Sequence, residues 1–256
     1  MRQASGTAEL IRILEADPDL GEELDPGAAT EATDDLVAPC IALDWKSRHD
    51  GWGPPEPRGH FGLLIVEGLL LREVRLLDTS SAELLAHGDV LRPWDADGEL
   101  HLPVPADVAW TVLEPVSVAV LDPDFLRRAA RWPEVVCALA RRAVVRAKST
   151  ALNDAMTNLK LVEVRLLILF WHLAERWGRV GTDTITLALP LTHEILAKLV
   201  GAARPSVSTA LGALGERDLL YREDGLWKLS RDTRKAFGEI AVKDASSRPT
   251  PHTGSR

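Results

Sequence analysis

The side chains best suited to chemistry lie between positions 191 and 214, where one arginine and several hydroxyl groups follow Gly201. The spacing predicts two short amphipathic helices joined by a sharp turn. Thr192 can cap the first helix, Gly201 can end it, and Pro205 suits the first turn of the second. The inner face of the second helix is predicted to be Val207, Ala210, Leu211 and Leu214. Its outer face is nearly free of bulk, as expected of a helix that enters the major groove of DNA.

Side chains that could contact DNA are concentrated near the start of this second helix. Arg204 lies there, and an arginine can donate two hydrogen bonds to one guanine. Phosphate contacts are expected from hydroxyl and basic groups, here Ser206, Ser208, Thr192 and Arg217. Each of these polar side chains, taken alone, is equally compatible with ordinary solvated surface.

A small hairpin is predicted directly after the two helices. Residues 219–222 and 226–229 are apolar or mixed and flank Glu223, Asp224 and Gly225, which favour a tight turn. The arrangement is typical of a winged helix-turn-helix. Residues 190–235 contain eight basic and six acidic side chains, a balance that suits phosphate contact. A helical hairpin or a winged helix used for protein contacts is the alternative.

Two helices are predicted upstream of this module. The first is long, runs from Pro133 to about Asn158, and carries a stripe of small residues: Val136, Ala140, Ala143, Ala147, Ala151 and Ala155. Small side chains allow another helix to approach closely, so the stripe is a candidate interface. Cys137 is expected to be buried as a small apolar residue. The second helix, residues 161–177, is apolar on nearly every side and is expected to be buried.

The first half of the chain has a β pattern that follows a poorly patterned start. Short strands are predicted at residues 63–66, 69–76, 110–113 and 116–121, which suggests an antiparallel barrel or sandwich. Before them, a short helix is predicted over residues 8–16 and a strand over 36–43. Residues 17–35 and 45–59 have loop compositions.

Charge and composition exclude several classes of protein. Residues 1–60 hold five basic and thirteen acidic side chains, so they carry the whole net charge of −8. We expect this acidic start to be a solvated extension, with a repulsive lid over the basic long helix as the alternative. No apolar run is long enough to span a membrane, and no export signal is evident, so the predicted location is the cytoplasm.

The residues also argue against an enzyme. No catalytic triad order, phosphate loop or metal-ligand spacing stands out, and His172 and Glu175 lie in a stretch too apolar for a typical active site. Two cysteines are too few for an all-cysteine iron–sulfur cluster or a four-cysteine zinc site. No cofactor or metal is predicted, although His60, His87 and His101 are left open as haem ligands.

Taken together, the order of these parts resembles the Crp/Fnr family of bacterial transcription regulators. The similarity rests on a β domain, a long helix, a buried helix, and then Leu191-Thr192 with Ile195, followed by Val200-Gly201 with Arg204 and Val207. Residues 65–68 and the Gly88-Asp89 turn stand where that family has a strand-turn and a Gly-Asp turn. The resemblance covers about residues 36–235.

This resemblance implies an α+β fold, a domain organisation and two macromolecular partners. The fold would be an antiparallel β-roll like a cyclic-nucleotide-binding domain, a long dimerisation helix and a C-terminal winged helix-turn-helix. The predicted segments are an acidic N-terminal arm (1–35), the β-roll sensor domain (36–130), the long helix (131–159), the DNA-binding domain (160–240) and a flexible tail (241–256). The partners would be double-stranded DNA and a second copy through the 134–156 helix, with RNA polymerase as a further candidate.

The resemblance places the family's base-reading positions on Arg204, Pro205 and Thr209, of which Arg204 is the leading candidate. In the cyclic-AMP receptor protein a glutamate stands at the position of Pro205, and a longer basic side chain at that of Thr209. Proline cannot accept a hydrogen bond from cytosine as a glutamate does, and threonine reaches less far. We therefore expect a different operator. The alternative function is a protein-interaction adaptor that does not bind DNA.

The family's cyclic-nucleotide pocket is degenerate in this sequence. That pocket uses a Gly-Glu-Leu after the Gly-Asp turn and an arginine followed by Ser or Thr. Here the corresponding positions hold Pro93 and Ala106-Asp107, and Gly98-Glu99-Leu100 is displaced by six residues. We expect that cyclic AMP does not bind in the usual way. Arg92 and Trp94 are candidate ligand-binding residues for a ring or an anion, and the effector, if there is one, is not identified.

Overall fold

The computed structural model describes residues 9–43, 60–92 and 106–233 of the chain. The chain divides into two compact units, residues 1–150 and 151–256, and the division falls within one long helix. The predicted α+β fold class, with an antiparallel β-roll, a long helix and a C-terminal winged helix-turn-helix, is confirmed. The finer segment boundaries expected from the sequence stay predictions.

One antiparallel sheet dominates the described part of the first unit. Its strands are β1 (Glu9–Arg12), β2 (Val37–Leu43), β3 (Gly62–Leu76), β4 (Thr79–Ala86), β5 (Val90–Leu91) and β6 (Ala106–Leu121). The order in the sheet is β1-β2-β6-β3-β4, and β5 pairs with β3. An apolar core forms on this sheet around Ile65, Leu70 and Val118.

The sequence predicted pairs of short strands where the structure has two long ones. β3 continues through Gly68, and β6 continues through Pro115. The pairing between them shifts register near Gly68, which has a φ of +95°. A side chain there would place its Cβ 2.0 Å from the carbonyl oxygen of Pro115. A bulge at a glycine therefore absorbs the irregularity, and the predicted strand breaks are wrong.

Residues 9–35 contain a strand and helices where the sequence predicted one short helix and a loop. Residues 9–12 form a strand on β2 and only Ile13–Ala16 (α1) is helical, because edge pairing overrides the local helical pattern. The predicted loop over 17–35 contains a 3₁₀ turn at Pro18–Gly21 and a helix, α2 (Pro26–Asp35). Asp25 caps α2 by accepting from the backbone amides of Gly27 and Ala28.

The two helices that end the first unit share a core with this segment. They are α3 (Pro123–Ala129) and α4 (Pro133–Thr157), of which α4 confirms the predicted long helix. The shared core includes the buried side chains of Ile13, Leu20, Leu36, Val135 and Leu139. The interpretation of the N-terminal segment as a solvated extension is therefore wrong for residues 9–35.

After the last residues of α4, the second unit continues with a buried helix, as predicted. Its elements are α5 (Val162–Trp177), β7 (Arg179–Val180), β8 (Thr184–Leu187), α6 (His193–Val200), α7 (Arg204–Glu216), β9 (Leu220–Glu223) and β10 (Leu226–Ser230). The sheet order is β7-β8-β10-β9. Phe170 of α5 packs on Trp227 of β10 with ring centroids 5.0 Å apart. The hairpin β9–β10 confirms the predicted wing.

Candidate nucleic-acid interface

The first helix of the predicted pair, α6, is fixed at both ends by local chemistry. The Oγ1 atom of Thr192 accepts a hydrogen bond from the backbone N–H of Ile195 at 3.3 Å. At the other end Gly201 adopts the left-handed conformation, with a φ of +60°. The N–H of Ala202 donates to the carbonyl of Ala197 at 3.0 Å, which closes the helix end. The predicted cap and turn are confirmed.

The second helix, α7, buries the face that the sequence predicted. Its inner side chains are buried: Val207, Ala210, Leu211 and Leu214. Arg204 is its first residue, and Pro205 occupies the first turn, where a missing N–H is harmless. Ala203 at the N-cap position offers no side-chain acceptor to the first amides. This end of α7 therefore suits an anion such as a DNA phosphate.

The predicted contact residues at the start of α7 lie together on its exposed side. All five are exposed: Arg204, Pro205, Ser206, Ser208 and Thr209. The hydroxyl of Thr209 donates to the carbonyl of Pro205 at 3.1 Å, so its proton is held by the helix while its oxygen can still accept. The exposed side of α7 thus combines the guanidinium group of Arg204 with short hydroxyl side chains, and such groups hydrogen-bond to base edges and phosphates.

His193 is a residue of this surface that the sequence analysis missed. Its Nδ1 atom lies 2.9 Å from the Oγ atom of Ser208 and joins the first turn of α6 to α7. Fifteen residues separate the two in the chain, so only the packing of α6 on α7 brings them together. The imidazole places a further hydrogen-bonding group beside Thr192 and Ser208.

Arg217 is not brought together with the other predicted residues. It is the C-cap residue of α7, at the opposite end from Arg204. Thirteen helical residues at about 1.5 Å each place the two ends roughly 20 Å apart. Arg217 could only meet DNA at a different point from the start of the helix.

The wing ends in a tight two-residue turn. Asp224 and Gly225 both have positive φ, at +50° and +80°, which is the geometry of a type I′ hairpin. Arg222 donates from Nε to the carbonyl of Gly225 at 3.2 Å, and its guanidinium lies 5.7 Å from the ring centroid of Trp227. The turn therefore holds this cation at the exposed tip of the wing.

In the first unit the predicted ligand residues are only partly described. Trp94 lies outside the described residues, as do Pro93 and the Gly98–Leu100 sequence. Arg92 donates from Nη1 to the carbonyls of His60 and Phe61 at 2.7 and 3.0 Å, so part of its guanidinium holds the backbone at the start of β3.

The predicted Gly-Asp turn is present between β4 and β5. Asp89 closes it by accepting from the N–H of Ala86 at 2.8 Å. Gly88 has a φ of +85°, and a Cβ there would lie 2.5 Å from an Arg142 nitrogen. The turn therefore lies close against the long helix α4.

Two carboxylates, Glu83 and Asp17, hold α4 to the rest of the first unit. Glu83 on β4 accepts from Arg146 Nη2 at 2.7 Å and from Arg72 Nη1 at 2.8 Å. Burial raises the pKa of Glu83, but the two arginines outweigh it and leave that pKa below its usual value. Asp17 accepts from Arg142 Nη2 at 3.0 and 3.2 Å. Burial raises the pKa of Asp17 despite this partner, because the carboxylate is almost fully enclosed.

The stripe of small residues predicted on α4 is mostly exposed to solvent in the single chain. Val136 packs partly on the core, but the alanines at 140, 143, 147, 151 and 155 are exposed. Val144, which the sequence analysis did not include, is 54% exposed and falls between them. Cys137 is exposed, so the expectation of burial is wrong. It lies on the side of α4 opposite the buried Val135 and Leu139.

In residues 9–43, 60–92 and 106–233 no three His, Cys, Asp or Glu side chains are grouped to hold a metal ion. No described helix is both long and apolar enough to cross a membrane. Burial in α5 lowers the pKa of His172.

A family model for the Crp-like helix-turn-helix domain matches residues 164–232. A cAMP-activated, CRP-like global transcriptional regulator of Mycobacterium tuberculosis (strain CDC 1551) is 31% identical over 139 residues. The match covers 52% of this chain and 61% of the relative, so the chain spans less than two thirds of that protein.

Solved structures share the fold at low sequence identity. A cyclic-nucleotide-binding-domain protein from Listeria monocytogenes EGD-e is 18% identical, with a TM-score of 0.62 over 85% of this chain and 98% of that one. A transcriptional regulator of the CRP/FNR family from Thermus thermophilus is also 18% identical, with a TM-score of 0.54 over 80% of this chain and 99% of that one. At such identities the likeness establishes the fold. The resemblance to the Crp/Fnr family is confirmed.

Proposed function

Because residues 164–232 form a Crp-like helix-turn-helix domain in a chain with the Crp/Fnr fold, we propose that this protein is a sequence-specific DNA-binding transcription regulator. The observation that carries the proposal is the exposed start of α7, with Arg204 first and no side-chain cap beside it. Its proposed site of action is the bacterial cytoplasm, beside the DNA.

The proposed DNA contacts divide into two kinds. Arg204, Pro205 and Thr209 face the bases, with Arg204 donating to a guanine. Ser206, Ser208 and Thr192, joined by His193, lie beside them and contact phosphates, as Arg217 does at the far end of the helix. Thr209 uses its hydroxyl proton within α7, so it would read a base only as an acceptor.

Gel shifts with genomic fragments at several salt concentrations test this proposal. We expect selective, salt-sensitive retention of a few fragments. Arg204→Ala should weaken binding to the best fragment at least about fivefold, since a base-reading arginine contributes about 1 to 3 kcal/mol. Arg179→Ala, an exposed change on β7 of the same unit, is the matched control and should bind normally. An adaptor would retain no fragment, and Arg204→Ala would then change nothing.

We also propose that the protein is a homodimer through the exposed stripe of α4. A helix of 25 residues with five exposed alanines and Val144 on one side offers a second copy a close, apolar approach. Two-fold symmetry would then place two copies of α7 about one DNA turn apart on a palindrome-like operator. RNA polymerase is the further partner that activation would require.

A matched pair of substitutions tests the dimer. Val144 and Val145 are both 54% exposed, but they point about 100° apart around the helix, and only Val144 lies in the stripe. Val144→Glu should give a monomer by sedimentation and lose tight operator binding, whereas Val145→Glu should stay dimeric. Monomeric wild-type protein at micromolar concentration would contradict the proposal.

For the β-roll, we propose that cyclic AMP does not bind in the usual way. Asp107, at the position expected of the phosphate partner, lies on β6 beside Arg75 and would repel a phosphate. Arg92 is engaged with backbone carbonyls, which supports a scaffolding role. Isothermal titration with cyclic AMP should show no micromolar binding. A micromolar affinity would overturn this proposal, and Arg92→Ala would then show whether Arg92 holds the phosphate.

A further inference from the structure

Arg165 joins three pieces of backbone in the second unit. It lies in the first turn of α5, and its Nε and Nη2 atoms both donate to the carbonyl of Leu159, at 2.7 Å from Nε. Its Nη1 atom donates to the carbonyls of Val200 and Gly201, at 3.1 and 2.9 Å. Leu159 belongs to the segment that leaves α4, and Val200 and Gly201 end α6.

The carbonyls that Arg165 binds lie in the turn that sets the direction of α7. Gly201 is left-handed, and α7 begins only three residues later. A Cβ on Gly201 would lie 3.1 Å from the Cγ2 atom of Thr157, the last residue of α4. The turn is therefore held between the end of α4 on one side and the guanidinium of Arg165 on the other.

We propose that Arg165 is a positioning residue for DNA recognition, which ties the turn of the helix-turn-helix to the chain leaving α4. The inference rests on the proposed function and names a residue that acts without touching DNA. The planar guanidinium of Arg165 donates hydrogen bonds to carbonyls in two directions at once. The single ammonium group of a lysine cannot do this with the same geometry. Loss of this link would let the start of α7 shift, and a shift of about an ångström is enough to spoil contacts to base edges.

Arg165→Lys tests the inference, because it keeps the charge and removes the fork. Arg176→Lys is the matched control, since Arg176 is exposed on the last turn of the same helix and lies over the Trp177 ring. In Arg165→Lys the affinity for the best genomic fragment should fall at least about tenfold, while the affinity for random DNA and its salt dependence should stay unchanged. Arg176→Lys should leave the specific affinity unchanged.

Two other roles for Arg165 predict different results. If Arg165 contacted a phosphate directly, the neutral variant Arg165→Gln would weaken specific and random binding alike and lower the slope of log affinity against log salt by about 0.9. A residue needed only for folding would lower both affinities by one factor, in step with the folded fraction, and would leave their ratio intact. An unchanged ratio therefore overturns the inference. Under the inference, Arg165→Gln lowers the specific affinity as Arg165→Lys does and leaves the salt dependence of random binding unchanged.

Amide hydrogen exchange gives a readout that needs no DNA. The N–H of Ala202 is bonded to Ala197 within the turn, and that of Ser230 is bonded to Leu219 in the wing. Arg165→Lys should speed exchange at Ala202 more than about tenfold and leave Ser230 at its wild-type rate. Wild-type protein that retains no DNA would refute the proposed function, and exchange at Ala202 would then decide alone whether Arg165 holds the turn. Unchanged exchange there overturns the inference.

Discussion

Glu83→Gln should destabilise the first unit substantially, although it changes a single atom. The carboxylate of Glu83 accepts three hydrogen bonds from two arginines: two from Arg146, at 2.7 and 3.3 Å, and one from Arg72, at 2.8 Å. Both arginines donate to Oε1, and Arg146 Nε also donates to Oε2, so a glutamine that keeps its oxygen at Oε1 turns an amide donor toward Arg146 Nε. It also leaves two partly buried cations without the charge that separates them.

The expected loss follows from how far this group is enclosed. The side chains of Glu83, Arg146 and Arg72 are 13%, 21% and 24% exposed. Removing one partner of a fully buried ion pair costs about 3 to 5 kcal/mol, and water at the arginines reduces that. We therefore expect Glu83→Gln to lower the free energy of unfolding by about 2 to 3 kcal/mol at neutral pH.

Urea unfolding of the first unit measures this loss, with Glu23→Gln as the control. Glu23 also pairs with an arginine of α4, Arg141, but both side chains are more than half exposed. An exposed pair contributes little, so Glu23→Gln should leave the unfolding midpoint unchanged. Equal effects of the two substitutions would refute the argument that burial makes the Glu83 pair strong.

The pH dependence gives an independent check with a definite sign. The pKa of Glu83 is depressed in the folded protein, so its stabilisation is present above the ordinary value of 4.5 and is lost as the pH falls through the folded value. The difference between wild type and Glu83→Gln should therefore shrink in acid. Asp17, whose pKa burial raises, acts with the opposite sign but is common to both proteins and cancels. A difference that stays constant down to about pH 3 would contradict this account.

Three further changes have expected outcomes. Gly212→Ala should stabilise the second unit by about 1 kcal/mol in urea unfolding, because no atom lies within 4 Å of the added Cβ and alanine favours a helix; a loss of stability would show a hidden clash. Gly68→Ala should prevent accumulation of folded protein, since its Cβ would meet the Pro115 carbonyl at 2.0 Å; normal expression and melting would disprove the close approach. Deleting residues 1–35 should unfold the first unit, as seen in its circular dichroism, because the deletion removes core side chains; a folded product with unchanged DNA affinity would contradict the shared core.

The parts of the fold that were predictable from sequence are those fixed by neighbours in the chain. Thr192 caps α6 through a backbone amide only three residues ahead, and Gly201 ends that helix by its own backbone freedom. The face of α7 that is buried follows from spacing alone. Such signals are local, so the helix-turn-helix and its wing could be placed within a residue or two.

The contacts that could not be predicted from the sequence are those between residues distant in the chain. Arg165 binds carbonyls 35 and 36 residues away, and Glu83 meets Arg146 across 63 residues. Neither pairing leaves a spacing pattern. The error at Cys137 has the same origin, because the sequence showed a small-residue face on α4 but not which side of that helix the sheet would cover.

Acidic side chains of residues 9–35 take part in ion pairs within the first unit. Three of these carboxylates, at 17, 23 and 35, pair with arginines of the basic stretch that begins α4 or directly precedes it. The contacts are attractive, and they accompany a shared apolar core, so a repulsive lid over the long helix does not describe residues 9–35. The acidic excess of −8 lies in residues 1–60, and three of its carboxylates pair with arginines of the first unit. The net charge is therefore no argument against DNA binding by the second unit. The charges closest in sequence to α7 are nearly balanced, since residues 190–235 hold eight basic and six acidic side chains, and they bear more directly on an approaching phosphate than the total does.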